Sequence, residues 1–311
     1  MVKKNGFISI SIIYSFFVVF LLLLLLMMSS YVNNRFNFNI YKADIKKQFS
    51  NENGSVLGTQ NFRNYIKGLV TTTSSQTAWK VVYEKGGYRY QGATPRNYVR
   101  FNNELWRIIG VFDGSTHKQS KELVKLVRDL PFNTMYSSEN TNVWKNTSLS
   151  RTLNNNYVWN ATSEQMLTEV TWVASQVTSI SYTPEQMYTQ ERVVTANSES
   201  NAKVGLIYPS DYAYAVLSTI CPRTTLLSGY KPSTGTSNCA TLNWLSTSQI
   251  QYTLTTSNSN NIMVIDNVGN LKKESNLRNG NYTARPVVYL KENVMLYGGD
   301  GSYDNPYTIM L

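Results

Sequence analysis

Histidine is almost missing from this chain: His117 is the only one among 311 residues. A histidine-based zinc centre needs several such ligands, and Ser/His/Asp or Cys/His catalysis needs that single imidazole beside its nucleophile. His117 instead falls in the polar turn GSTHKQSK, where an imidazole is simply solvated. Cysteine is nearly as scarce. Cys221 and Cys239 are the only two, they lack the close C-x-x-C spacing of a redox pair, and an oxidising exterior favours their pairing. A bridge closing the polar loop PRTTLLSGYKPSTGTSN would remove roughly 3 kcal/mol of unfolded-state entropy. Two buried free thiols are the other reading.

Charge is sparse too, at 15% of the chain. The formal net charge of +10 would point to nucleic acid only if it formed a stripe. It does not: residues 1–50 hold six basic groups against one acidic, and the remaining chain holds 23 against 18. Half of the excess therefore flanks an apolar segment, where it meets anionic headgroups, and the rest is too dilute to track phosphates. No nucleic-acid partner is expected. Glu84, Glu104, Asp211, Asp300 and Asp304 are scattered over different segments, with no convergent pair for glycoside cleavage. No catalytic residue and no cofactor is expected.

What the chain has instead is one long apolar run. FISISIIYSFFVVFLLLLLLMM begins at Phe7, and no charged residue occurs from there to Asn34. At 1.5 Å per residue a helix of that length extends roughly 33 Å, the thickness of a bilayer core. A cleaved secretory signal has a shorter apolar region, so the run reads as a retained anchor in membrane lipid. Basic residues lie on both sides of it and leave its orientation open. The start, KKNGFISISIIYSFF, resembles a type IV prepilin leader, which is a short basic peptide ending in glycine before an uncharged helix. The resemblance implies cleavage between Gly6 and Phe7, the basic end inside, and pilin-like subunits as partners. It departs from the family at Ser11, where pilins usually carry the Glu that assists fibre packing. Val32, Phe36, Ile40, Ile45 and Phe49 continue at helical spacing.

The organisation read from this is residues 1–50 as leader, span and helical extension, 51–78 as a polar connector with a short helix near Arg63–Leu69, and 79–311 as a β-rich extracellular domain. WKVVYEK, YRYQ, NYVRF, ELWRIIGVF and ELVKLVRD are β-branched and aromatic segments separated by Gly-Gly, Asn-Asn and Asp-Gly turn signals. IMVID, RPVVYLK, VMLY and PYTIM close the chain in the same manner.

YVRFNNELWRIIGVF, KLVRD, LSRTLNNNY, VGLIYPSDYAYA, CATLNWL, ARPVVYLK and GGDGSYDNPYTI together resemble an uncharacterised bacterial surface-domain family, number 6273 among the domains of unknown function. That family looks distantly related to C-type-lectin-like and formylglycine-generating-enzyme-like folds. The fold class this implies is α+β: an N-terminal transmembrane helix, then a C-type-lectin-like domain of twisted antiparallel sheets with short helices and long loops.

Loops 171–203, 223–238 and 251–283 combine polar residues with scattered Tyr and are expected to form the exposed recognition surface. Trp244, Tyr252 and Arg285 are candidate ligand contacts, although an isolated Trp after a cysteine also suits a core anchor. Asp300, Asp304 and Asn305 are candidate calcium ligands in a segment that equally reads as an ordinary Gly-rich turn. The function expected is a single-pass cell-membrane protein with a noncatalytic recognition or adhesion domain outside, its ligand a cell-surface glycan or protein. A structural minor pilin is the alternative, and a formylglycine-generating-type enzyme the third reading.

Overall fold

In the computed structural model, residues 60–72, 79–114, 121–231, 239–257 and 260–311 are described. They belong to one compact unit that begins at Gly58. A short strand, β1 (Gln60–Asn61), runs directly into the helix Phe62–Thr72, and two tight hairpins follow. β2 (Trp79–Glu84) turns into β3 (Gly87–Gly92) through Lys85 and Gly86, with φ of 46° and 67°. β4 (Tyr98–Phe101) turns into β5 (Glu104–Phe112) through Asn102 and Asn103, with φ of 56° and 59°. Two successive left-handed residues give the turn whose twist matches a right-handed ribbon, and Asn and Gly reach that conformation at least cost. β6 (Leu123–Arg128) and β7 (Phe132–Asn133) complete the first third.

Short helices dominate the middle, among which run β8 (Leu167–Thr168), β9 (Val170–Val173), β10 (Glu199–Ala202) and β11 (Val204–Gly205). The last third is β12 (Gln251–Thr256), β13 (Ile262–Ile265), β14 (Leu271–Glu274), β15 (Thr283–Ala284), β16 (Val287–Leu290), β17 (Met295–Gly298) and β18 (Tyr307–Met310).

Eleven of the described strands join one sheet, with the central path β1-β17-β18-β4-β5-β6-β16-β11. The path forks at β5. Its first half pairs with β4, and beyond a register shift between Ile108 and Gly110 its second half pairs with β3. Gly110 makes the fork possible, because a Cβ there would lie 2.2 Å from the Tyr88 carbonyl oxygen. A second sheet runs β14-β13-β12-β15-β7, and β9 and β10 form a separate ribbon. The core between these layers is unusually aromatic, with Trp106, Trp144, Trp172, Tyr136, Tyr208, Tyr212, Tyr252 and Tyr289 fully buried.

Three expectations are corrected. First, the α+β class with a spanning helix gives way to a mostly β domain with few, short helices, and no described helix is long and apolar enough to cross a membrane. The Phe62–Thr72 helix has 11 residues, about 17 Å at 1.5 Å per residue. The run beginning at Phe7, the Gly6–Phe7 boundary and His117 lie outside the described residues.

Second, beside a five-stranded sheet and a two-stranded ribbon, eleven described strands join one sheet that is not wholly antiparallel, since β18 pairs parallel with β4. Pairings between distant segments, such as β16 with β6, merge what local hairpin signals divide. Third, 251–283 is not a loop: every residue of β12 and β13 is buried. The helix expected near Arg63–Leu69 is present, but it belongs to the domain, with Phe62 and Ile66 in the core and the Phe62 amide donating to the Val294 carbonyl.

Candidate functional site

The sequence TSLSRTLNNNYVWN builds the most distinctive surface of the domain. Thr147 caps the helix Ser148–Arg151, its hydroxyl accepting from the Ser150 amide at 3.0 Å. The helix then widens into a π-turn, Thr152–Asn156. Asn154 accounts for the change of register: its side chain donates to Ser150 O and Val204 O and accepts from Val204 N, each at 3.0 Å. The side chain thus pairs with β11 as a strand residue would, which pulls the last turn out of α geometry. Such turns recur at functional sites. Here Leu153 points inward, while Thr152, Asn155 and Asn156 face solvent.

The chain leaves this turn as Tyr157-Val158-Trp159, and Asn102 of the β4–β5 hairpin clamps it. Asn102 donates from Nδ2 to Val158 O (2.9 Å), accepts at Oδ1 from Asn160 N (2.7 Å), and donates its own amide to Ser163 Oγ (2.9 Å). Val158 is therefore held by its backbone with its side chain 85% exposed. Below it, Tyr157 packs on Trp159 with centroids 4.6 Å apart, and Trp159 rests on Phe101 and Trp106.

Glu104 forms the floor. Arg128 donates to its Oε1 from Nε (3.1 Å), with Nη2 3.0 Å away in the same ion pair, while Oε2 accepts from the Trp106 indole (3.2 Å) and the Tyr157 hydroxyl (2.7 Å). Burial, then the bond to Glu104, raises the Tyr157 hydroxyl above the ordinary tyrosine range, so it stays a donor. The result is an open groove of about 330 Å³ lined by an ion pair, Phe132, Tyr157, Val158, and the polar side chains of Thr152 and Asn156. Glu104 accepts three hydrogen bonds, and among the described residues no second carboxylate lines the groove. Paired-carboxylate hydrolysis has no footing here. Aromatic and apolar contact with a few fixed polar groups is the arrangement of a binding surface.

The residues singled out from sequence lie elsewhere. Trp244 is buried, donating from its indole to Tyr90 O at 2.8 Å beneath the Arg107 guanidinium. Tyr252 is fully buried and donates to Asn279 O. Arg285 is buried too, bonded to Gln251 Oε1 (3.0 Å) and Leu245 O (2.7 Å), and burial pushes it down to about 9. All three tie core layers together rather than face a ligand.

Asp300 accepts the Ser302 amide at 2.9 Å and faces Arg96, while Asn305 O accepts the amides of Asp300 and Gly301. This is the closed geometry of a tight turn, in which Asp304 points to solvent. Among the described residues no group of three potential acidic, His or Cys metal ligands occurs. A second shallow depression of about 430 Å³, lined by Thr171, Glu199, Ser200 and Asn201, lies on the β9–β10 ribbon within the expected 171–203 surface. In the 223–238 segment, Leu227 and Tyr230 are buried, and 232–238 lie outside the described residues.

Cys221 and Cys239 form a disulfide inside the core, 18 residues apart in sequence. Replacing both by serine is expected to lower stability by roughly 3 kcal/mol through loop closure. Denaturant unfolding of the two proteins measures it; equal midpoints would show that the bridge carries no stability.

The groove residues Asn102, Asn154, Asn156, Tyr157, Phe132 and Arg128 are absent from the sequence-derived candidates. The available signal is the Asn triplet immediately before Tyr157 and Trp159, which enters the sequence reading only as part of a family phrase. No family model, curated protein or solved structure matches the chain.

Proposed function

We propose that this protein is a noncatalytic recognition module of the cell exterior whose groove at Tyr157 and Asn156 binds a neutral glycan. The observation that carries this reading is the groove itself: a clamped aromatic and apolar rim over the Glu104–Arg128 ion pair, with the exposed side chains of Thr152 and Asn156 beside it. A sugar ring offers the matching chemistry, apolar C–H faces for Tyr157 and Phe132 and hydroxyls for Asn156 and Thr152. The buried disulfide supports an oxidising location. It also occupies both cysteines, which counts against a formylglycine-generating-type enzyme.

Full-length protein on a glycan array is the test. One class of neutral glycan is expected to bind, and Asn156→Ala is expected to weaken it by about tenfold, the loss of one hydrogen bond to a ligand, with unchanged melting. Absence of binding to any glycan, or affinity indifferent to Asn156→Ala and Tyr157→Ala, would reject the groove and favour a subunit that only packs against others.

A further inference from the structure

Away from the groove, the core holds four ionisable side chains together. Lys125 of β6, Arg89 of β3, Asp211 of the helix Pro209–Ala213 and Glu191 are each at most 2% exposed. Lys125 Nζ lies 2.5 Å from Asp211 Oδ2, and Arg89 Nη1 lies 3.8 Å from Oδ1. The Tyr208 amide donates to Oδ2 at 2.9 Å. Glu191 accepts at Oε1 from the amide of Ser210, the neighbour of Asp211, while its Oε2 and Asp211 Oδ1 accept no hydrogen bond from the described residues. Around the ammonium stand the rings of Tyr208, Phe112, Tyr289 and Trp172, with centroids 4.7–5.9 Å from Nζ.

An ion pair in such a cage is poorly compensated, because burial disfavours both charged partners. The amine form of Lys125 against the Asp211 carboxyl is a nucleophile against an acyl group in a buried compartment. Burial depresses the Lys125 ammonium below its ordinary range, and burial raises Glu191 to about 8. The amine is thereby made available, and a protonated carboxylic acid stands beside the pair.

We infer that Lys125 and Asp211 are built to condense into an intramolecular amide, with Glu191 as the proton carrier. Nζ attacks Cγ, a Cγ–Nζ bond forms, and the Cγ–Oδ1 bond breaks. Of the three ammonium protons one remains on the amide nitrogen, and two depart with Oδ1 as water; Glu191 relays them and ends protonated as it began. Oδ2 becomes the amide oxygen. The Tyr208 amide and the Arg89 guanidinium stabilise the negative charge that develops during attack, as fixed donors do in acyl transfer. No oxidant or second reactant enters. The product is neutral where the reactants were charged, and it locks β6 of the large sheet to the helix Pro209–Ala213 across 86 residues of chain. This cross-link is independent of the glycan-binding reading.

The intact mass of the reduced, full-length protein decides the matter. It is expected to be one water lighter than its sequence, with digestion yielding one branched peptide that joins the Lys125 and Asp211 segments. Lys125→Met and Asp211→Ala are expected at full mass. Glu191→Gln, which keeps an acceptor for Ser210, is expected to fold with its disulfide intact and remain at full mass, with Glu191→Asp partly restoring the loss of water. Wild-type protein at full mass, with unbranched Lys125 and Asp211 peptides, would overturn the amide; a Glu191→Gln protein lighter by one water would overturn the role of Glu191. The wild-type measurement stands whether or not any variant folds.

Discussion

Lys125→Met will lower the stability of the domain by at least about 3–5 kcal/mol, because it leaves the Asp211 carboxylate buried with its nearest cation removed. The paired variant Lys125→Met with Asp211→Asn separates two origins of that loss. Asparagine retains an acceptor for the Tyr208 amide, and Arg89 keeps its hydrogen bonds to the Glu84 and Lys85 carbonyls. If the wild-type pair is purely ionic, removing both charges recovers most of the stability, since a buried pair contributes little net against a neutral replacement. If it is an amide, the double variant still lacks a cross-link over 86 residues, and a deficit of about 4–5 kcal/mol persists by chain closure. Denaturant unfolding of wild type, single and double variants, followed by tryptophan fluorescence, gives the answer. A single variant as stable as wild type would sink both readings of the cluster.

How far the sequence shows this architecture depends on the range of the interactions involved. Hairpins set by adjacent residues are legible: Asn102-Asn103 and Lys85-Gly86 lie where turn signals separate β-branched segments, and both are tight turns. The Cys221–Cys239 pair is legible because no other cysteine competes. The assembly of strands into one sheet is not. β1 pairs with β17, and β18 runs parallel to β4, through contacts separated by two hundred residues or more that leave no periodic mark.

β12 was misjudged for a different reason. QYTLTT reads as polar, yet all six residues are buried, Thr253 donating to Met263 O and Thr256 to Ser175 O. Polar side chains that satisfy themselves on neighbouring backbone are indistinguishable in sequence from those that face water. The same ambiguity runs through both sites. Trp244 and Arg285 look like ligand contacts but serve the core, whereas Asn102 and Asn154 look like loop residues but shape the groove. Asp211, set aside among scattered carboxylates, meets Lys125 only because the fold brings β6 against a helix 86 residues away.

Glu191 will impose a pH dependence that Glu191→Gln removes. Its folded-state pKa, raised by burial to about 8 from 4.5, exceeds that of the unfolded chain. A carboxyl so shifted holds its proton in the folded state while the unfolded state has already released it. Its contribution is therefore fully present below about pH 4.5 and is lost as pH rises toward and through about 8. The groups facing it are Asp211, which opposes ionisation, and Lys125, which favours it; the Ser210 amide also steadies the ionised form. Burial outweighs them. At 1.36 kcal/mol per pH unit over that span, wild-type stability is expected to fall by roughly 5 kcal/mol relative to Glu191→Gln. Lys125, whose pKa is lowered by burial, acts with the opposite sign where it remains a free amine: its contribution is lost as pH falls through its folded pKa. The measurement is thus the gap between the wild-type and Glu191→Gln unfolding curves at successive pH values between 4 and 9. A part of the gap that is constant with pH reports the cross-link, and the part that changes reports the Glu191 proton together with the Lys125 amine that the variant leaves free. A gap that does not change across the range would mean that Glu191 ionises inside the core as freely as in water, and the four-residue cluster would then not be the dry compartment that its burial and ring cage define.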